Sequence, residues 1–85
     1  MNYQYNNTTI NEIIESNEDN IDFKKNILEH NDFLVNYKNI KYSFCFYSSE
    51  RCWIYKQDDN SMYKSILFEI IDTSDLMKLI NLRTL

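Results

Sequence analysis

Not one glycine or proline occurs along the 85 residues, and that absence constrains the fold more than any residue present. Glycine normally fills backbone positions with positive φ, and proline normally ends helices and presets turns. Tight turns must instead fall to Asn and Asp, the next most tolerant of the left-handed region. Asn31, Asn39, Asn60 and Asn81 stand where such turns or helix ends are expected. Glycine-rich phosphate loops are excluded, since no other residue lets the backbone approach phosphate so closely. Alanine is missing as well, while Asn (12) and Ile (11) are abundant. The depleted types use G- and C-rich codons, which points to an AT-rich genome: a low-GC bacterium, its phages or plasmids, or an AT-rich eukaryote or virus.

Hydrophobic periodicity then divides the chain. Residues 1–8 read as a flexible tail or short edge strand, and 9–85 as one α+β domain. Thr9 and Glu12 fit a capping box that starts a helix. Ile10, Ile13, Ile14 and Ile21 fall on one helical face, Leu28 returns to it, and Glu12, Glu15, Glu18, Asp19 and Asp22 occupy the opposite arc. Ser16, Asn17, Glu18, Asp19 and Asn20 make a poor helix interior, which leaves open whether this helix is broken in two.

From residue 31 the period shifts towards two. Phe33, Val35 and Tyr37 alternate, then Tyr42, Phe44 and Phe46, then Arg51, Trp53 and Tyr55. A two-residue loop at Ser48 and Ser49 would set Phe46 opposite Arg51, Phe44 opposite Trp53 and Tyr42 opposite Tyr55, an aromatic face for the core. Cys45 would lie across from Cys52. A turn at Asp58, Asp59, Asn60 and Ser61 leads to residues 62–71. There strand and helix periodicities both fit, and strand is preferred because the run is β-branched and aromatic. As a strand it would set Ile66 opposite Trp53 and Phe68 opposite Arg51, with Met62 and Ile70 on the same apolar face. Asp72, Thr73, Ser74 and Asp75 start a second helix whose face is Leu76, Leu79 and Ile80. The expected fold is an N-terminal helix, a three- or four-stranded antiparallel meander and a C-terminal helix, with the helices covering one sheet face.

Catalytic chemistry finds little support. His30 is the only histidine and has no nucleophile or partner nearby in sequence. Ser48, Ser49 and Glu50 are explained as a polar hairpin tip. Two cysteines and one distant histidine fall short of a zinc site, so no cofactor or metal is expected. Exported proteins carry structural disulfides more often than cytosolic ones. With no recognisable export signal, Cys45 and Cys52 are expected reduced, although opposed strand positions lie within bridging distance. No stretch approaches about 18 apolar residues, so no membrane span is expected, and a bacterial cytoplasm is the expected setting.

Charge is unevenly spread. Residues 1–32 carry a net −5, residues 33–57 a net +3 and residues 58–85 a net −2. An acidic helix face with an acidic turn is complementary to a basic surface, and such complementarity speeds association and selects partners. The carboxylates singled out for that contact are Glu12, Glu15, Asp19 and Asp22, with Asp58 and Asp59 secondary.

The acidic helix of residues 10–22, the meander of residues 41–71 with its acidic turn, and the closing helix of residues 74–82 together resemble the small acidic anti-CRISPR proteins of phages. The resemblance lies in architecture, size and charge. It implies a non-catalytic inhibitor that occupies a basic surface of a Cas effector, a protein partner rather than nucleic acid or membrane. Three other readings stand beside it: an antitoxin or regulatory adaptor, a structural protein self-associating through an edge strand such as residues 33–37, and a nucleic-acid binder.

Overall fold

The computed structural model describes residues 5–57 and 65–84. In chain order the elements are α1 (Thr8–Ser16), α2 (Ile21–Leu28), β1 (Phe33–Tyr37), β2 (Ile40–Cys45), β3 (Arg51–Gln57), β4 (Ile66–Asp72) and α3 (Thr73–Thr84). The strands form one antiparallel sheet in the order β1-β2-β3-β4. This is the expected α+β arrangement, with four strands in the meander and the first helix divided. Residues 62–64 lie outside the described residues, and from Ile66 the chain is strand.

Asparagine starts both N-terminal helices. Asn7, not Thr9, caps α1, its side chain accepting from the Ile10 amide (3.1 Å), and Asn20 does the same for Phe23 in α2 (3.1 Å). Each satisfies an amide with no partner inside its helix. The division resets the helical phase. Ile10, Ile13 and Ile14 are buried as expected, but Ile21 is 78% exposed and Leu28 51%. Phe23 and Ile27, four residues apart, carry the buried stripe of α2 instead. The α2 helix ends in a Schellman motif: the Asn31 amide donates to Asn26 O (2.9 Å) and the His30 amide to Ile27 O (3.2 Å). His30, with φ 57°, takes the left-handed place that Asn31 was expected to fill.

Lys38 and Asn39 both have positive φ and join Tyr37 to Ile40 as a two-residue hairpin loop, the geometry that suits strand twist. Asn39 thus sits as expected; Asn81 lies within α3 and Asn60 outside the described residues. The next hairpin departs from expectation. Ser48 and Ser49 do not take the positive φ that a two-residue loop needs, and β2 ends at Cys45. The pairs are Phe44 with Ile54, Cys45 with Trp53, and Tyr42 with Lys56. That is one residue away from the expected register, so every side chain of β3 turns over. Cys52 and Ile54 enter the core, and Trp53 and Tyr55 face the other way. The slip is favourable, because indole and phenol groups under the helices would need buried hydrogen-bond partners that Ile54 and Cys52 do not.

β4 is offset further. Ile70 pairs with Trp53, Asp72 with Arg51 and Ile66 with Lys56, and a bulge falls at Phe68. Ile71 and Phe68 reach the helix side, the Phe68 ring 5.4 Å from Tyr42, while Ile70 turns outward. Phe44 is fully buried, flanked by Phe33 (4.8 Å) and Phe23 (6.0 Å). Around it the core gathers Ile10, Ile13, Ile14 and Ile27 with Leu76, Leu79 and Ile80. Strand β4 passes into α3 without an intervening residue, and the Thr73 amide donates to Glu50 O (2.8 Å). Among the described residues no helix is long and apolar enough to cross a membrane.

Candidate functional site

The expected acidic face is divided by the break between α1 and α2. Glu12 points from α1 to the β1–β2 turn. Its Oε2 accepts the Tyr37 hydroxyl (2.8 Å) and lies 3.5 Å from Lys38 Nζ. The Tyr37 hydrogen bond first, and the Lys38 charge next, hold the Glu12 carboxyl below its ordinary range. The same Glu12 hydrogen bond pushes Tyr37 up, and the Glu12 charge raises Lys38. Glu12 is therefore committed within the chain, and among the described carboxylates named from the sequence it is the least available.

Glu15 and Glu18 join Glu12, Ser16 and Tyr37 around a shallow hollow of about 420 Å³. Both are exposed, and among the described residues neither enters an ion pair. Glu18 lines the hollow and Asp19 does not, although both sit in the turn between the helices. Asp22 lies in the first turn of α2, where its charge favours the helix dipole. Asp58 and Asp59 lie outside the described residues. The three-residue spacing of Glu12 and Glu15 on α1 was the signal for this cluster, and the turn after Ser16 adds Glu18 to it. The helix break separated it from Asp19 and Asp22.

The second surface was missed in the sequence because it depends on the register. On the side of the sheet away from the helices, cross-strand rows place Leu34, Ser43, Tyr55 and Leu67 in one line and Cys45, Trp53 and Ile70 in the next. Tyr47 adds its ring 6.1 Å from Trp53. Hydrogen bonding to Cys45 and then Tyr55 pushes the Tyr47 phenol up to about 12. Ser43 Oγ is 3.4 Å from Cys45 Sγ.

Cys45 and Cys52 do not face each other. Cys45 belongs to this outer surface and Cys52 to the core, both as free thiols. Burial, the leading cause, with the nearby Cys45 next, pushes the Cys52 thiol up to about 12. His30 is exposed at the end of α2, its ring stacked 5.4 Å from Phe46. Ser48 accepts from the Glu50 amide (3.3 Å), a hydrogen bond within the hairpin tip. A hollow at the start of α3 is lined by Ser49, Glu50, Arg51, Asp72, Thr73, Ser74 and Met77, with Arg51 paired to Asp72 (3.6 Å). Among the described residues no three His, Cys, Asp or Glu side chains are grouped to hold a metal ion. No protein-family model, no curated protein and no solved structure matches this chain.

Proposed function

We propose that this chain is a non-catalytic, protein-binding inhibitor of the anti-CRISPR kind, carried by a phage or mobile element and directed at a basic surface of a bacterial defence effector. The observation that carries the reading is the hollow at the end of α1, where Glu15 and, in the following turn, Glu18 stand exposed beside Glu12. A Lys or Arg side chain entering it would meet two carboxylates without an ion pair among the described residues, while Glu12 stays bound to Tyr37 and Lys38. Surface carboxylates of this kind act mainly on encounter rate and partner choice. The binding energy must also draw on apolar contact, for which α2 offers the exposed Ile21 and Leu28.

The test is inhibition of purified Cas effector complexes by the wild-type chain and by Glu15→Lys/Glu18→Lys. Wild type is expected to block target binding or cleavage at a fixed molar ratio. The double reversal is expected to weaken binding by about tenfold or more, roughly 1.4 kcal/mol, with an unchanged circular dichroism spectrum. Equal inhibition by both proteins, or none by wild type, rejects the reading.

A further inference from the structure

We propose that the face of the sheet turned away from α1, α2 and α3 pairs with the same face of a second copy, forming a two-fold dimer with the acidic helices outermost. This goes beyond the inhibitor reading and does not depend on it.

An antiparallel sheet that leaves one face in water normally sets polar side chains outward. Here the two central rows set Leu34, Tyr55, Leu67, Trp53 and Ile70 outward, with Leu34 63%, Leu67 43% and Ile70 36% exposed. Four strands spaced about 4.8 Å apart and up to seven residues long span roughly 19 × 24 Å. Two such faces remove on the order of 1,000 Å² from water once side-chain relief is included, the lower bound of a specific interface.

Charge selects the occupant. The central rows carry no Asp, Glu, Lys, Arg or His. The outward charges of the described strands lie at the two ends: Lys41 at one, and Arg51 with Asp72 at the other. A two-fold axis lying between the sheets and perpendicular to the strands lays each strand on its own counterpart in reverse, so Lys41 of each copy overlies the end of the other that carries the neutral Arg51–Asp72 pair. The two central rows then cover each other and the charges stay at the rim, as a self-complementary two-fold contact requires. Residues 5–32, with their net −5, stay on opposite outer sides of the pair. A nucleic acid would instead meet a chain of net charge −4, with Arg51 already engaged by Asp72 at 3.6 Å. Sheet-on-sheet packing also suits the aromatic rings, which add edge-to-face contacts to the buried area.

Sedimentation equilibrium of the full chain across about 1 to 200 µM, with Trp53 emission followed over the same range, tests this. The expected result is a mass approaching twice 10.4 kDa at the upper end, with emission shifting to the red on dilution. Tyr55→Arg and Leu67→Arg, both on outward positions, are each expected to give a monomer with a wild-type circular dichroism spectrum. Three results overturn the proposal: a wild-type monomer at every concentration, a dimer whose Trp53 emission ignores dilution, or a dimer that survives both folded variants. Red-shifting Trp53 emission together with mass doubling in wild type sustains it even if a variant fails to fold.

Discussion

At positions 30, 38 and 39 the backbone takes the left-handed form that glycine would adopt freely. Asn39 is the side chain best suited to this, because its short amide tolerates the region, whereas a β-branched residue clashes there. Asn39→Gly is expected to stay within about 0.5 kcal/mol of wild type, and Asn39→Val to lose at least about 1 kcal/mol, read from urea midpoints. Next to it, Glu12 links α1 to the turn. Its carboxyl is depressed in the folded chain, so its stabilising contribution is full above the ordinary value of 4.5 and fades as pH falls through the lower folded value. Tyr37 and Lys38 are raised, so their contributions are full below 10.0 and 10.5 and fade as pH climbs through the higher folded values. Glu12→Gln is expected to be less stable than wild type by a constant margin between about pH 5 and about pH 9, with the margin closing in acid. A pH series of urea midpoints measures it.

Among the elements, those with a strong period were readable in advance. Ile10, Ile13 and Ile14 announced α1, Tyr42 and Phe44 announced the inward face of β2, and Leu76, Leu79 and Ile80 announced α3. Phase was harder. The helix break let α2 choose a new face, and the loop after β2 turned β3 over, because the serine pair could not make the tight turn that the alternation implied. A strand such as β3 is ambiguous on its own, since Cys52 and Ile54 suit a core as well as Trp53 and Tyr55 do. That ambiguity hid the outer surface, and the helix break split the acidic one. Thiol chemistry distinguishes the two registers. In native protein one thiol per chain, Cys45, is expected to react with a disulfide reagent, and Cys52 only on unfolding, since the thiolate is the reactive form. Cys52→Ser is expected to cost about 1–3 kcal/mol, and Cys45→Ser less than about 0.5 kcal/mol. Equal reactivity of both thiols would contradict the observed register.

For the molecule as a whole, distant parts of the chain are tied across one layer of core. The Tyr5 hydroxyl donates to Glu69 Oε2 (2.9 Å) and the Asn7 amide reaches the same oxygen (3.4 Å), so the approach to α1 is fastened to β4, more than sixty residues away. Tyr5→Phe is expected to lower global stability by about 0.5–1.5 kcal/mol, seen as a shift of the thermal unfolding midpoint without a second transition. The passage from β4 to α3 works in the same direction. No residue separates Asp72 from Thr73, and the Thr73 amide is held by Glu50 O (2.8 Å), so strand and helix meet at a tied corner. Any pull on the outer edge of the sheet must therefore tilt Leu76, Leu79 and Ile80 against α1, so a force applied to one side of this small protein is felt on the other.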